Sequence, residues 1–295
     1  MKSGFVSILG HPNVGKSTII NGIVNRKISI VTDKSQTTRN VIKGIYRGDN
    51  SQIVFIDTPG IHTPHAKLGV EMNAMAYSSA HDADVNILVV DCSKGFDETD
   101  EYLINHLDIK RTPLVVVFNK IDQSRIDKVE KLKSIYREKL PGSHFIDTVA
   151  SERFNLDLLI KTVEELLPEG PEYYPDGEIT DKDEVFMIKE IIREKALKTL
   201  REEVPHSIAI YVDHIDWEAK PIHIIASIIV EKDSQKGIVI GNGGKRIKEI
   251  GQKSRNSIER MLNKHVYLEL FVKIQNDWRN DDNLLETYGY KNKKN

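Results

Sequence analysis

Eight residues near the start of the chain, Gly10-His11-Pro12-Asn13-Val14-Gly15-Lys16-Ser17, fit the pattern G-x-x-x-x-G-K-[ST] and directly follow the apolar stretch Phe5 to Leu9. The glycines let backbone N–H groups curl around a polyphosphate. Lys16 reaches the β and γ oxygens, and the Ser17 hydroxyl stands where a bound magnesium ion needs a ligand. Thr18 then continues a helix, read over residues 18 to 26, whose positive N-terminal end faces the anion. A strand, a phosphate loop and a helix in this order predict an α/β domain built on a mostly parallel sheet.

Two further motifs say which nucleotide. Asp57-Thr58-Pro59-Gly60 ends the β-like run Ile53 to Ile56, so the Asp57 carboxylate is expected at the ligand-binding edge of the sheet, holding magnesium. Gly60 is placed to offer its amide to the γ-phosphate. Asn119-Lys120-Ile121-Asp122 ends the apolar run Leu114 to Phe118. A carboxylate here accepts two parallel hydrogen bonds from guanine N1–H and the exocyclic amine, whereas adenine offers neither and leaves a buried, unpaired Asp122. Such a site rejects the wrong base by roughly 10⁴-fold or more. Asn119 is expected to tie this loop to the phosphate loop, with the Lys120 stem lying over the base. A P-loop kinase acting on a small metabolite is therefore disfavoured.

Strands near residues 5–9, 41–48, 51–57, 84–91, 113–119 and 144–149 alternate with helical segments, and Asp49-Asn50 between the second and third predicts a hairpin. This is a Ras-like arrangement with one antiparallel strand. Residues 168–184 carry three prolines, two glycines and seven acidic residues and read as a linker. A new helix is predicted to begin near Thr180 or Asp181. The expected division is a nucleotide domain over 1–168, a linker over 169–180 and a second domain over 181–295.

The net charge of −2 hides an asymmetry: residues 185–295 hold 20 Lys/Arg against 16 Asp/Glu, and residues 1–184 hold 22 against 28. Between Lys236 and Lys264 there are eight basic residues and two acidic ones, a cluster that attracts phosphate backbones. Inside it stands Ile240-Gly241-Asn242-Gly243-Gly244-Lys245-Arg246, with Lys248 just beyond. Two strands precede this loop, at Ser207 to Ile215 and Ile222 to Val230; a basic helix and a last strand, His265 to Ile274, follow it.

The order α-β-β-α-α-β with Gly-x-x-Gly between the central helices resembles a type II KH domain, an α+β module. In it, the loop from Ile240 to Gly244 with Lys245, Arg246 and Lys248 would clamp about four nucleotides of single-stranded backbone beside an apolar groove. The set GHPNVGKS, DTPG and NKID, with QTTRN (Gln36 to Asn40) between the first two, resembles the translation-factor-related GTPases. Together with the second half of the chain it is similar to the Era family over essentially its whole length. That family's guanine-contacting Ser-Ala loop is represented by Thr148-Val149-Ala150, so Val149 replaces the serine.

The resemblance implies a GTP/GDP switch whose RNA is the 3′ end of 16S ribosomal RNA and whose partner is the small ribosomal subunit during assembly. It implies magnesium held by Ser17, Thr38 (rather than Thr37) and Asp57, and potassium held by Asn13. Ras-type enzymes place a glutamine after DTPG; Ile61 here has neither donor nor acceptor, so no side-chain base is identified, and Thr38 and Gly60 are expected to assist at the γ-phosphate. A second reading is a membrane-associated or cell-cycle switch whose second domain binds protein, which the loop within the basic cluster disfavours.

The first apolar stretch is already a strand and the longest, Ile224 to Val230, is too short to span a bilayer. A cytoplasmic monomer is expected, with peripheral association at the inner face of the cell membrane as a secondary expectation. Cys92 reads as a small buried residue, Trp217 and Trp278 as packing residues, His62 and His65 as solvated loop histidines, and Lys291 to Lys294 as a frayed tail.

Overall fold

The computed structural model describes residues 1–107 and 111–291. It divides into two compact units, one of Met1–Val31, Thr38–His65 and Gly69–Asp181, the other of Thr32–Thr37, Ala66–Leu68 and the chain from Lys182 onward.

The first unit is a six-stranded sheet flanked by helices. Its strands are β1 (Lys2–Leu9), β2 (Ile42–Gly48), β3 (Ser51–Asp57), β4 (Val85–Asp91), β5 (Leu114–Asn119) and β6 (His144–Thr148), in spatial order β2-β3-β1-β4-β5-β6. Its helices are α1 (Lys16–Val24), α2 (Lys67–Asp82), α3 (Glu98–Asn105), α4 (Ile126–Lys139) and α5 (Leu156–Leu166). β3, β4 and β5 are buried along their whole length, because helices cover both faces of a parallel sheet and shield its apolar runs from water on both sides. Only β2 runs antiparallel, its Gly48 opposite Ser51 across the expected hairpin. The strand order reverses at β1, so the crevice beyond the carboxyl ends of β1 and its neighbours is where a ligand belongs.

The linker at 169–180 is bonded to the first unit's sheet. Glu169 bridges to Lys2, Thr180 to Gly44, and the Ile179 carbonyl accepts from the Ile45 amide. Gln52 uses its side-chain oxygen for the amides of Tyr173 and Tyr174, and Arg47 pairs with Glu172. The prolines and acidic residues of this linker make a strap: proline holds the chain extended, Glu172 pairs with Arg47, and Asp181 accepts from the Lys43 backbone amide. Because Thr180 and Asp181 are used in this way, the next helix starts later than expected, at Glu184, where the Asp183 carboxylate caps the Phe186 amide.

The second unit contains α6 (Glu184–Thr199), β7 (Ala209–Asp216), β8 (Ile222–Val230), α7 (Asp233–Ile240), α8 (Lys245–Leu262), β9 (Val266–Ile274) and α9 (Asp282–Tyr288). Its sheet order is β7-β8-β9, with β7 antiparallel and β9 parallel to β8. Trp278 is fully buried, donates its indole N–H to the Ser207 carbonyl and packs edge-on against Tyr288. Trp217, by contrast, is 37% exposed and is not a core residue. α9 was not anticipated; Asp281 caps it and Gly289 at φ +82 ends it. Lys291 pairs with Asp282, and the rest of the expected tail lies outside the described residues.

Candidate functional site

The phosphate loop joins β1 to α1. Gly10 and Gly15 sit at φ +139 and +109, where a side chain is strained, and a Cβ on Gly15 would stand 2.2 Å from Asn119 Nδ2. Lys16 donates to the carbonyls of Gly10 at 3.0 Å and His11 at 2.8 Å. Burial pulls its ammonium down to about 8, against the raising pull of Asp57. His11 in turn shares 3.0 Å with Asp100, and the Tyr136 hydroxyl donates to the same carboxylate.

Three oxygens from separate parts of the chain meet beside Lys16. Ser17 Oγ lies 2.7 Å from Asp57 Oδ2 and 2.9 Å from Thr38 Oγ1. It is Thr38 that reaches Ser17; Thr37 instead bonds Thr32 and the Lys34 carbonyl. Asp57 is fully buried, and Oδ1 has no hydrogen-bond partner among the described residues. Burial raises its pKa, opposed by the Ser29 and Ser17 hydroxyls and by Lys16. A hard divalent cation fits this set: two hydroxyls and a buried carboxylate with an unused lone-pair-bearing oxygen are magnesium-type donors.

Thr58, also fully buried, donates to the Ile8 carbonyl and locks the DTPG turn onto β1. After Pro59, Gly60 passes so close to the phosphate loop that a Cβ would lie 2.6 Å from the Pro12 nitrogen. Ile61 is 1% exposed and belongs to the core, its amide bonded to the Gly10 carbonyl. His62 is half-buried rather than solvated: its ring shares 2.9 Å with the Gly60 carbonyl and its backbone is held by Asn73. His65 is exposed, as expected.

At the other end of the crevice, Asn119 Nδ2 donates to the Val14 carbonyl at 2.8 Å, while its Oδ1 accepts from Thr148 Oγ1 and the Ala150 amide. One side chain thus ties the phosphate loop, β5 and the loop of Val149 and Ala150 together. Lys120 is engaged within the chain. Its ammonium is bonded at 2.7 Å to both the Asn13 carbonyl and Asp91, so it is a second strut between the loops. Ile121 packs against the hydrophobic core. Asp122 is exposed, so its carboxylate is not buried in the chain by itself.

In the second unit the loop between α7 and α8 turns through three glycines at positive φ: Gly241 at +72, Gly243 at +59 and Gly244 at +76. A Cβ on Gly241 would meet Arg246 Cβ at 2.7 Å, whereas Gly243 and Gly244 face open space. Asn242, Lys245 and Lys248 are exposed, Ile240 half-buried, and Arg246 donates to the Ile238 carbonyl. Beside this loop, Ile247, Lys248, Gly251, Gln252, Arg255, Leu268 and Leu270 line a cleft of about 430 Å³. Apolar floor, basic rim and side-chain-free turn suit a sugar-phosphate chain with bases laid into the cleft.

Comparison with known proteins agrees with both units. Residues 5–120 match the family described as 50S ribosome-binding GTPase and residues 203–279 match the KH domain family. A crystal structure of a variant of Aquifex aeolicus Era bound to GDP·AlF4⁻ is 38% identical, covers 98% of this chain and 99% of its own, and superposes with a TM-score of 0.92. The chain belongs to the Era family of GTPases. A second Era structure, in complex with MgGDPNP and nucleotides 1506–1542 of 16S ribosomal RNA, is 39% identical over 98% of this chain and 99% of that one, with a TM-score of 0.93.

In this Era-family chain the residues that sequence reasoning missed are those with generic signals. Asp91 ends β4 and is 5% exposed. Burial pushes its carboxyl up, but the hydrogen bonds from Lys120 and Ser93 outweigh this and hold it below the usual carboxylate value. A carboxyl whose folded-state pKa is depressed stabilises the fold fully above its ordinary value, and the contribution is lost as pH falls through the depressed one. Asp91→Asn is therefore expected to lower the thermal midpoint by about 2–8 °C at pH 7 and by progressively less below pH 4, as read by circular dichroism. A deficit independent of pH would count against the Lys120 strut. Cys92 is 2% exposed and burial pushes its thiol up to about 12, which keeps it an inert packing residue.

Proposed function

We propose that the protein is a GTP-hydrolysing switch that binds the 3′ end of 16S ribosomal RNA and acts in maturation of the small ribosomal subunit in the cytoplasm. The observation that carries this reading is the near-complete match to Era in complex with MgGDPNP and 16S ribosomal RNA nucleotides, which spans both units. In this reading Gly10 to Thr18 cradle the phosphates, and Asn119, Lys120, Asp122 and the Val149-Ala150 loop hold the guanine. Ser17, Thr38 and Asp57 would hold magnesium, which when bound neutralises charge on the β and γ oxygens.

Thr38 and the Gly60 amide lie on the segments that change with nucleotide state. Loss of the γ-phosphate removes their common partner and releases both. Ile61 is sealed in the core, so no side chain at that position orients the attacking water. Intrinsic turnover is accordingly expected to stay far below the roughly 5–20 per second of partner-stimulated GTPases. Asn13, at φ +66 in the phosphate loop, would hold a potassium ion, which would supply positive charge for hydrolysis in place of an arginine finger. Hydrolysis is expected to run severalfold faster in potassium than in sodium at equal ionic strength; equal rates would remove that assignment.

Crosslinking of the protein to RNA in living cells tests the whole reading. Recovery of the 3′ end of 16S ribosomal RNA is expected, and recovery of no ribosomal RNA would overturn it.

A further inference from the structure

We infer that Ser29 is a positioning residue for the magnesium site, holding the Asp57 carboxylate so that only Oδ1 is presented to the metal. The inference rests on the nucleotide reading of this site. Ser29 lies in the loop after α1, is 1% exposed, and donates its hydroxyl to Asp57 Oδ2 at 2.5 Å. That oxygen also receives the Ser17 hydroxyl at 2.7 Å, while Oδ1 has no partner among the described residues. The two carboxylate oxygens are therefore unequal: one is supplied with donors, and the other is left as an acceptor in a dry site. An unrestrained carboxylate exchanges its oxygens by rotation about the Cβ–Cγ bond. Two hydroxyls on one oxygen oppose that rotation.

Ser17 alone cannot perform this task as well, because its oxygen is also within 2.9 Å of Thr38 and is itself proposed as a metal ligand. Ser29 has no such second duty among the described hydrogen bonds of its hydroxyl. Its backbone is fixed independently of that hydroxyl. Asn21 on α1 accepts from the amides of Ile28 at 2.9 Å and Ser29 at 3.0 Å, and donates to the Ser29 carbonyl at 2.7 Å. The helix that presents Ser17 from its first turn thus presents Ser29 from its second through Asn21, so both donors to Asp57 are registered to one rigid element.

The test measures the release of a fluorescent GDP from the purified full-length protein as magnesium is titrated. In Ser29→Ala the half-saturating magnesium concentration is expected to rise about tenfold or more, the usual scale for losing a hydrogen bond that orients a metal ligand. Release in excess EDTA is expected to match wild type, a comparison that a merely structural role for Ser29 would disturb. An unchanged magnesium midpoint, or equal acceleration with and without the metal, would overturn the inference. If Ser29→Ala is not obtained folded, Ser29→Cys supplies a weaker donor of similar size, and an unshifted midpoint there overturns it equally. Failure of the underlying reading looks different: wild type itself would bind no GDP, or release it at a rate independent of magnesium.

Discussion

Asp122→Asn is expected to weaken GDP binding by about 10³-fold or more and to strengthen binding of xanthosine diphosphate. The carboxylate accepts from guanine N1–H and the exocyclic amine together. An asparagine keeps one acceptor and turns an NH₂ group toward the exocyclic amine, so two donors face each other in a site that base binding has dried. Xanthine carries a carbonyl at that position and accepts the new donor. The fold is expected to be indifferent: Asp122 is exposed, and the loop is held by Asn119 and Lys120 rather than by Asp122. The thermal midpoint without nucleotide should therefore move by no more than about 1 °C, as usual for exposed surface changes. Titration of fluorescent guanosine and xanthosine diphosphates into both proteins reads the specificity. Retained GDP affinity in the folded variant would mean that Asp122 does not read the base.

The motifs at this site were legible because the chemistry restricts residue types at fixed spacing. A polyphosphate needs glycine amides and one lysine, and a guanine edge needs a carboxylate beyond a strand. The struts behind them were not. Asn21, Ser29 and Asp91 act through a few side-chain hydrogen bonds each, and serine, asparagine and aspartate serve equally as turn and cap residues everywhere. Only the packing of α1 on β3, and of β4 beside β5, brings them to the site. The same ambiguity holds in the linker at 169–180, where proline and acidic composition does not tell that the segment is bonded to Arg47 and Gln52. The six strands of the first sheet were visible from their apolar runs and the β2-β3 hairpin from its two-residue turn, while α9, only seven residues long, is too short for helical periodicity to emerge.

Replacing Asn242 and Gly243 together by aspartate is expected to lower affinity for a short single-stranded RNA matching the 3′ end of 16S ribosomal RNA by at least tenfold, or about 1.4 kcal/mol. Both positions are exposed, at the open turn between α7 and α8. Two carboxylates there add bulk and negative charge where the phosphates are to approach. Gly243 at φ +59 faces open space, so the aspartate there strains only the local backbone, in the left-handed region that aspartate tolerates better than most residues. The buried face of α8, with Ile250, Ser254 and Ile258, is untouched, and the GTP site lies in the other unit. GTP affinity should therefore be unchanged and circular dichroism should report a folded protein. Wild-type RNA affinity should itself fall steeply with salt, because Lys245, Lys248 and Arg255 beside the loop and cleft displace counterions condensed on the RNA. The variant keeps those cations, so its salt slope is expected to remain close to wild type while its affinity is lower at every salt concentration. If the folded double variant binds this RNA as tightly as wild type, the loop is not the clamp, and the second unit must engage its partner by another surface.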